Sequence, residues 1–173
     1  AGDDVIQGGD DADYLSGDSG NDDVRGGAGS DQVFGGLGED LVKGDDGDDT
    51  VRGGSGNDEV YGGIGTDLLR GDAGDDLLRG EVGDDTLYGD SGADLFVFEN
   101  VNNGADIVRD FVDGIDKLDV PNIAYALAHM TMVGGSTVIQ LDGVGGNQVT
   151  LFGVNSALIT AAVTGQIDLR ESA

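Results

Sequence analysis

A period of nine residues governs the first half of the chain, and few sequence features restrict a fold more severely. From Gly8 to Val97 the sequence divides without a gap into ten nonapeptides, beginning GGDDADYLS, GDSGNDDVR, GGAGSDQVF and GGLGEDLVK, and residues 1 to 7 are the end of a further copy. Position one is Gly in all ten. Position four is Gly20, Gly29, Gly38, Gly47, Gly56, Gly65, Gly74, Gly83 and Gly92, with Asp11 the exception. Position six is Asp4, Asp13, Asp22, Asp31, Asp40, Asp49, Asp58, Asp67, Asp76, Asp85 and Asp94, invariant across the eleven copies. Position eight runs Ile6, Leu15, Val24, Val33, Val42, Val51, Val60, Leu69, Leu78, Leu87 and Phe96, apolar throughout. Position two divides evenly between Gly9, Gly27, Gly36, Gly54 and Gly63 and the acids Asp18, Asp45, Asp72, Glu81 and Asp90.

This pattern predicts a short strand over positions seven to nine, whose central side chain points inward while its neighbours point out. One apolar residue per repeat is then the whole core. Positions one to six form the turn, where Gly at one and four permits positive φ and lets backbone carbonyls crowd together. The position-six Asp adds an anionic oxygen there. Hard oxygen donors, with no Cys anywhere and no clustered His, favour calcium over zinc or copper. Residues 1 to 97 carry 26 acids and five cations, a charge of -21, against -27 for the whole chain. Parallel strands stack about 4.8 Å apart, so without cations the turns would pile up carboxylates, and the metal-free chain is expected to be disordered. So acidic a protein is no nucleic-acid binder.

The G-G-x-G-x-D-x-U-x nonapeptide (U, an apolar residue) resembles that of the RTX, or hemolysin-type, calcium-binding repeat family over residues 1 to 97. The resemblance implies an all-β fold, a right-handed parallel β-roll with two nonapeptides per coil, and calcium between turns stacked eighteen residues apart. Asp13, Asp31, Asp49, Asp67 and Asp85 would line one edge, and Asp4, Asp22, Asp40, Asp58, Asp76 and Asp94 the other. The family's ligands are the position-six carboxylates and the carbonyls of positions two and four, which gives up to about nine ions in this chain. Asp11 departs from the pattern at its corner. Side chains at position two are read as solvated charge that adds attraction near an ion. The resemblance also implies a secreted, extracellular bacterial protein handled by type I secretion machinery: unfolded where calcium is scarce, folded where it reaches the roughly 0.1 to 1 mM of extracellular sites.

After Val97 the period stops, but GADLFVFENVNNGADIVRDFVDGIDKLDV resembles the segment that closes the roll in serralysin-type RTX proteases. We divide the chain into a roll, residues 1 to 97, and a capping region, residues 98 to 173. Asp106 and Asp116 stand in degenerate copies of the turn, Asp106 as an extra ligand and Asp116 as a weaker candidate. Ser136 to Leu141 and Gln148 to Phe152 alternate in polarity on either side of a Gly-rich stretch, which predicts a β-hairpin over the open end of the roll. Residues 156 to 163 have helical composition near the place where relatives carry an uncleaved export signal.

Catalytic constellations fail one after another. His129 is the single histidine and lies among apolar residues, no HExxH motif is present, and neither Ser55 nor Ser91 completes G-x-S-x-G. The chain is therefore read as a monomeric binding module and not an enzyme. The start Ala1-Gly2-Asp3-Asp4 is unlike a secretory leader, and no apolar run approaches the roughly 20 residues of a membrane span. Outward positions place Ser16, Phe34, Arg52, Arg70 and Tyr88 along one sheet, a mixture of aromatic and basic residues that would suit an acidic polysaccharide as in the alginate-epimerase members of the family. Fit to strand propensity explains the same residues more simply.

Overall fold

The computed structural model describes residues 1–98, 103–112, 114–120, 126, 130–141 and 146–154. Ten strands occupy the repeats: β1 (Val5–Gly9), β2 (Tyr14–Ser19), β3 (Asp23–Ala28), β4 (Gln32–Leu37), β5 (Leu41–Asp46), β6 (Thr50–Ser55), β7 (Glu59–Ile64), β8 (Leu68–Ala73), β9 (Leu77–Val82) and β10 (Thr86–Ser91). After them come β11 (Leu95–Val97), β12 (Ala105–Val108), β13 (Lys117–Asp119), β14 (Met130–Val133), β15 (Ser136–Gln140) and β16 (Gln148–Leu151). Odd-numbered strands up to β13 form one seven-stranded sheet, and the even-numbered ones, extended by the last three strands, form a second of nine. Val24 pairs with Val42 and Val33 with Val51, a shift of eighteen residues per coil that every parallel pair from β1 to β10 keeps.

Most roll strands hold six residues, not the three read from the pattern. They run from position seven through position three of the next nonapeptide, because two of the turn residues still pair with the neighbouring coil. The tight corner is only positions four to six. There the position-four N–H donates to the position-three carbonyl of the following coil, as in Gly38 to Ser55 at 2.8 Å. The position-seven N–H donates to the position-six carbonyl of the preceding coil, as in Thr50 to Asp31 at 2.9 Å.

The core is a single file per sheet. Position eight is fully buried from Val24 to Phe96, and Val108 and Leu118 prolong the two files beyond the last nonapeptide. Burying nine Val, Leu and Phe side chains at roughly 1.5–3 kcal/mol each is modest for this length, so the turns must contribute to holding the coils together. The anticipated hairpin is present: β15 and β16 pair antiparallel, β14 adds a third strand, and β16 joins β12 in parallel register. Ile139, Val149 and Leu151 from this hairpin extend the core.

Two acidic side chains end the repeat array. Asp110 accepts the N–H groups of Gly89 and Asp90 with one oxygen each, at 3.0 and 2.8 Å. Asp116 accepts the N–H of Asp94 at 3.1 Å and that of Val112 at 2.7 Å. Asp110 thereby takes the place of backbone partners beyond β12, whereas Asp116, beside β13, accepts from Asp94 as each position-six Asp accepts from the coil before it. His129 and the helical and export readings of residues 156 to 173 lie outside the described residues.

Candidate metal centre along the roll edges

Each position-six Asp reaches both neighbouring coils. From Asp22 to Asp94 its Oδ1 accepts the backbone N–H of the Asp eighteen residues earlier, at 2.8–3.0 Å. Its Oδ2 lies against the position-one glycine of its own turn, together with the position-one carbonyl of the next coil. A Cβ placed on Gly44, for example, would collide with Oδ2 of Asp49 and with the Gly62 carbonyl, at 2.7 Å from the latter. In eight of these residues, Asp22, Asp31, Asp40, Asp49, Asp58, Asp67, Asp76 and Asp85, Oδ2 is buried with no hydrogen-bond partner. Leaving a charged oxygen so is among the most unfavourable things a folded protein can do.

The electrostatics carry the same signature. Burial, above all other causes, pushes the carboxyl pKa of Asp76 and Asp85 up to about 6, of Asp58, Asp67 and Asp94 to about 7, and of Asp106 to about 8. Asp40 and Asp49 are raised for the same reason. Hydrogen bonds from the backbone oppose this rise without cancelling it.

The glycines divide by role. Those at position one are required because the carboxylate occupies the place of a side chain. Positive φ falls instead at positions two and four, with Gly20, Gly29, Gly38, Gly47, Gly56, Gly65, Gly74, Gly83 and Gly92 between 125° and 150°. There each carbonyl points at the matching glycine of the next coil: the Gly20 oxygen faces Gly38, and the Gly9 oxygen faces Gly27. The backbone hydrogen bonds of the turns do not run to the position-four carbonyls of Gly20 to Gly92. Asp11 lacks the positive φ of its counterparts, yet its carbonyl still lies against Gly29.

Each gap between stacked turns is thus bordered by carbonyl oxygens and one carboxylate oxygen. No group of three or more His, Cys, Asp or Glu side chains that could hold a metal occurs among the described residues. A cation here would be held mainly by the backbone, as suits a large hard ion with a flexible oxygen shell. Calcium fits the donor set.

The remaining candidates sort cleanly. Asp4 and Asp13 belong to the first coil and are the least covered of the series. Asp106 is buried and accepts the Asp85 N–H at 3.0 Å, so it extends the ladder by one turn. Asp116 accepts the N–H of Asp94 with one oxygen and that of Val112 with the other. The position-two acids do adopt the left-handed region, φ 65–75° at Asp18, Asp45, Asp72, Glu81 and Asp90, a conformation few non-glycine residues take. Asp72 and Asp90 turn their side chains outward, each binding an arginine in bidentate fashion: Arg52 to Asp72 and Arg70 to Asp90, at 2.8–2.9 Å.

The sequence reading passed over two features. One is the position-one carbonyl beside Oδ2, hidden because position one is constant. The other is a ladder at position five, where Asp3, Asn21, Asp48, Asn57, Asp75 and Asp84 each accept the position-five N–H of the next coil at 2.8–3.0 Å. Its signal is the recurrence of Asn and Asp at position five.

Two parallel sheets joined by short glycine-aspartate corners, one carboxylate per corner, define a parallel β-roll. A model of the RTX calcium-binding nonapeptide repeat matches residues 1–33, 25–60, 34–69 and 61–96, more than half of the chain. The chain belongs to this family, and its nonapeptides are calcium-binding repeats. The solution structure of the AlgE6R3 subunit from the Azotobacter vinelandii mannuronan C5-epimerase is similar, with a TM-score of 0.53, 31% identity, and coverage of 66% of this chain and 75% of that one. The extracellular lipase LipA of Serratia marcescens matches over 89% of this chain and 37% of its own length, at 23% identity and a TM-score of 0.36. No curated protein matches.

Proposed function

We propose that the chain is a folding and export module whose β-roll assembles on extracellular calcium and stabilises a secreted bacterial protein. The observation that carries this reading is the row of eight buried Oδ2 atoms without partners. In each gap the ligands are Oδ2 of position six, the carbonyls of positions two and four from the same turn, and the position-one carbonyl of the next coil. Asp13 to Asp85 serve one edge and Asp4 to Asp94 the other, up to about nine ions, with Asp106 closing a further gap above Asp85. Nine divalent ions would bring +18 against the -21 of residues 1 to 97. Since these sites do not exist in the open chain, binding free energy becomes folding free energy. Type I secretion machinery would pass the calcium-free chain, and folding outside would oppose its return.

Far-UV circular dichroism during a calcium titration of chelated protein, with magnesium in parallel, tests this reading. A cooperative change from disorder to β-structure with calcium alone is expected. A β-rich signal already present in chelator would refute it.

A second reading, binding of an acidic polysaccharide, draws on the outer face of the nine-stranded sheet. Strand register aligns Phe34, Arg52, Arg70 and Tyr88 there, and Arg109 sits 5.1 Å from the Phe152 ring. The similar epimerase subunit belongs to an enzyme named for mannuronan, itself an anionic polymer. Retention of the folded protein on an immobilised anionic glycan, weakened by Arg70→Ala or Tyr88→Ala, would support it, and unchanged retention would remove it.

A further inference from the structure

Position two alternates between glycine and an acid, and the choice follows the residue twenty places earlier, at position nine of the preceding coil. Asp45, Asp72 and Asp90 follow Arg25, Arg52 and Arg70, and Glu81 follows Tyr61, whereas Gly27, Gly36, Gly54 and Gly63 follow Gln7, Ser16, Phe34 and Lys43. Each of these three arginines is matched by an acid. Lys43, a point charge without the planar fork of a guanidinium, is matched by glycine.

Two of the three pairs close across coils. Arg52, on β6, donates from Nε and Nη2 to the two oxygens of Asp72, on β8, at 2.9 and 2.8 Å, and Arg70, on β8, does the same to Asp90, on β10, at 2.8 Å each. Arg70 Nε also lies 3.7 Å from Asp72, so the four side chains form one unbroken line over neighbouring strands of the nine-stranded sheet. Asp110 continues that line by accepting the Asp90 N–H. Arg25 instead binds Asp23 of its own strand, at 2.8 and 3.0 Å.

Stability alone does not account for the two closed pairs. The arginine side chains are 40% and 38% exposed, where an ion pair contributes little. Each acid also holds the left-handed backbone, φ 75° at Asp72 and 65° at Asp90, which glycine adopts at lower cost. What the pairs add is a link between turns that border the same gap. Arg52 stands directly before the turn that ends at Asp58, and its fork grips the turn that ends at Asp76; Arg70 stands before that second turn and grips the one that ends at Asp94. Each guanidinium thus fixes, in the next coil, the position-two residue whose carbonyl faces a gap.

We propose that Arg52 and Arg70 are positioning residues for calcium: by holding Asp72 and Asp90 they make the two gaps between the turns of Asp58, Asp76 and Asp94 fill as one cooperative unit. An ion in either gap orders the shared turn, and through the clamps the second ion meets a turn already in register. The planar fork is what the role requires, since a bidentate pair fixes orientation as well as distance. The proposal rests on the calcium reading above.

The test is a calcium titration, followed by dichroism, of the whole protein and of its Arg52→Ala, Arg52→Lys, Asp72→Gly and Arg52→Ala/Asp72→Gly variants, with melting in saturating calcium recorded alongside. Arg52→Ala and Arg52→Lys should both flatten the titration and raise its midpoint about two- to fivefold. In the Asp72→Gly background, Arg52→Ala should add nothing further. A parental titration in Arg52→Ala or Arg52→Lys, or an equal effect of Arg52→Ala with and without Asp72, overturns the clamp and leaves the calcium reading intact. So does a lower melting temperature with the shape and midpoint of the titration unchanged, which would mark an ion pair of structure only. Protein that stays disordered in calcium overturns both.

Discussion

Replacing Asp58 by Asn removes one negative charge from the middle of the array while keeping the shape of the side chain. Its Oδ1 accepts the Asp40 N–H at 2.8 Å, an interaction the amide oxygen preserves. Its Oδ2 is buried without a partner, and burial raises the carboxyl pKa from 3.8 to about 7. Ionising Asp58 inside the metal-free roll is therefore about 4 kcal/mol less favourable than in the open chain. The variant escapes that penalty. It also loses the anionic Oδ2 that serves its own gap, so one ion should leave. At calcium a hundredfold above the dissociation constant one ion contributes about 2.7 kcal/mol. The effects oppose each other, and the prediction is distinctive: stability at high calcium no lower than the parent's and higher by about 1–2 kcal/mol, but a shallower calcium titration and one fewer ion by native mass spectrometry. Asp58→Ala should be weaker by a further 1–3 kcal/mol or so, because the Asp40 N–H then has no acceptor. An unchanged ion count in Asp58→Asn would refute Oδ2 as a calcium ligand.

Further outcomes follow from the same geometry. The metal-free roll holds protons on Asp58, Asp67, Asp76, Asp85, Asp94 and Asp106 at pH values where the open chain has released them, so its stability is fully present below 3.8 and is lost as pH rises through about 6 to 8. Chelated protein should accordingly gain β-dichroism on acidification from pH 8 to pH 5, and an unchanged signal would count against these buried carboxyls. Gly44→Ala, which drives a methyl into Asp49 and the Gly62 carbonyl, should destabilise by about 3 kcal/mol or more in urea melts. Gly54→Asp, at the position where Asp72 already takes φ 75°, should cost about 1 kcal/mol. Asp116→Ala should lower the melting temperature with no loss of bound calcium, whereas Asp106→Asn should remove an ion.

The sequence made the axial repeat legible because three constraints recur at fixed spacing: a buried position eight, an acid at position six, and glycine at one and four. The period alone leaves the coil size open, since a nine-residue shift would stack Val24 on Val33 as well; the eighteen-residue shift that stacks Val24 on Val42 and Asp22 on Asp40 came from the family resemblance. The hairpin of β15 and β16 was equally plain from alternation, though its parallel union with β12 was not, because nothing local marks which edge a hairpin joins. Strand length was underestimated because glycine-rich residues were assigned to the turn, when the backbone at positions two and three still pairs between coils. The reason for glycine at position one was misjudged for a related cause: composition cannot distinguish a residue that needs an unusual φ from one that needs room for a neighbour's carboxylate.

All five cations of the roll, Arg25, Lys43, Arg52, Arg70 and Arg79, stand at position nine, on outer faces, while the ladders of carboxylates keep to the edges. The molecule therefore separates a repeated frame from a variable outer surface. Side chains at positions seven and nine project from both sheets in rows about 4.8 Å apart, and apart from Arg52 and Arg70, which bind Asp72 and Asp90, the described contacts leave the turns to the backbone and the edge carboxylates. A protein engineer could replace those rows wholesale, setting charges, aromatics or reactive groups at lattice spacing, and under the proposed calcium-dependent folding obtain an array that is displayed or dismantled by the supply of calcium.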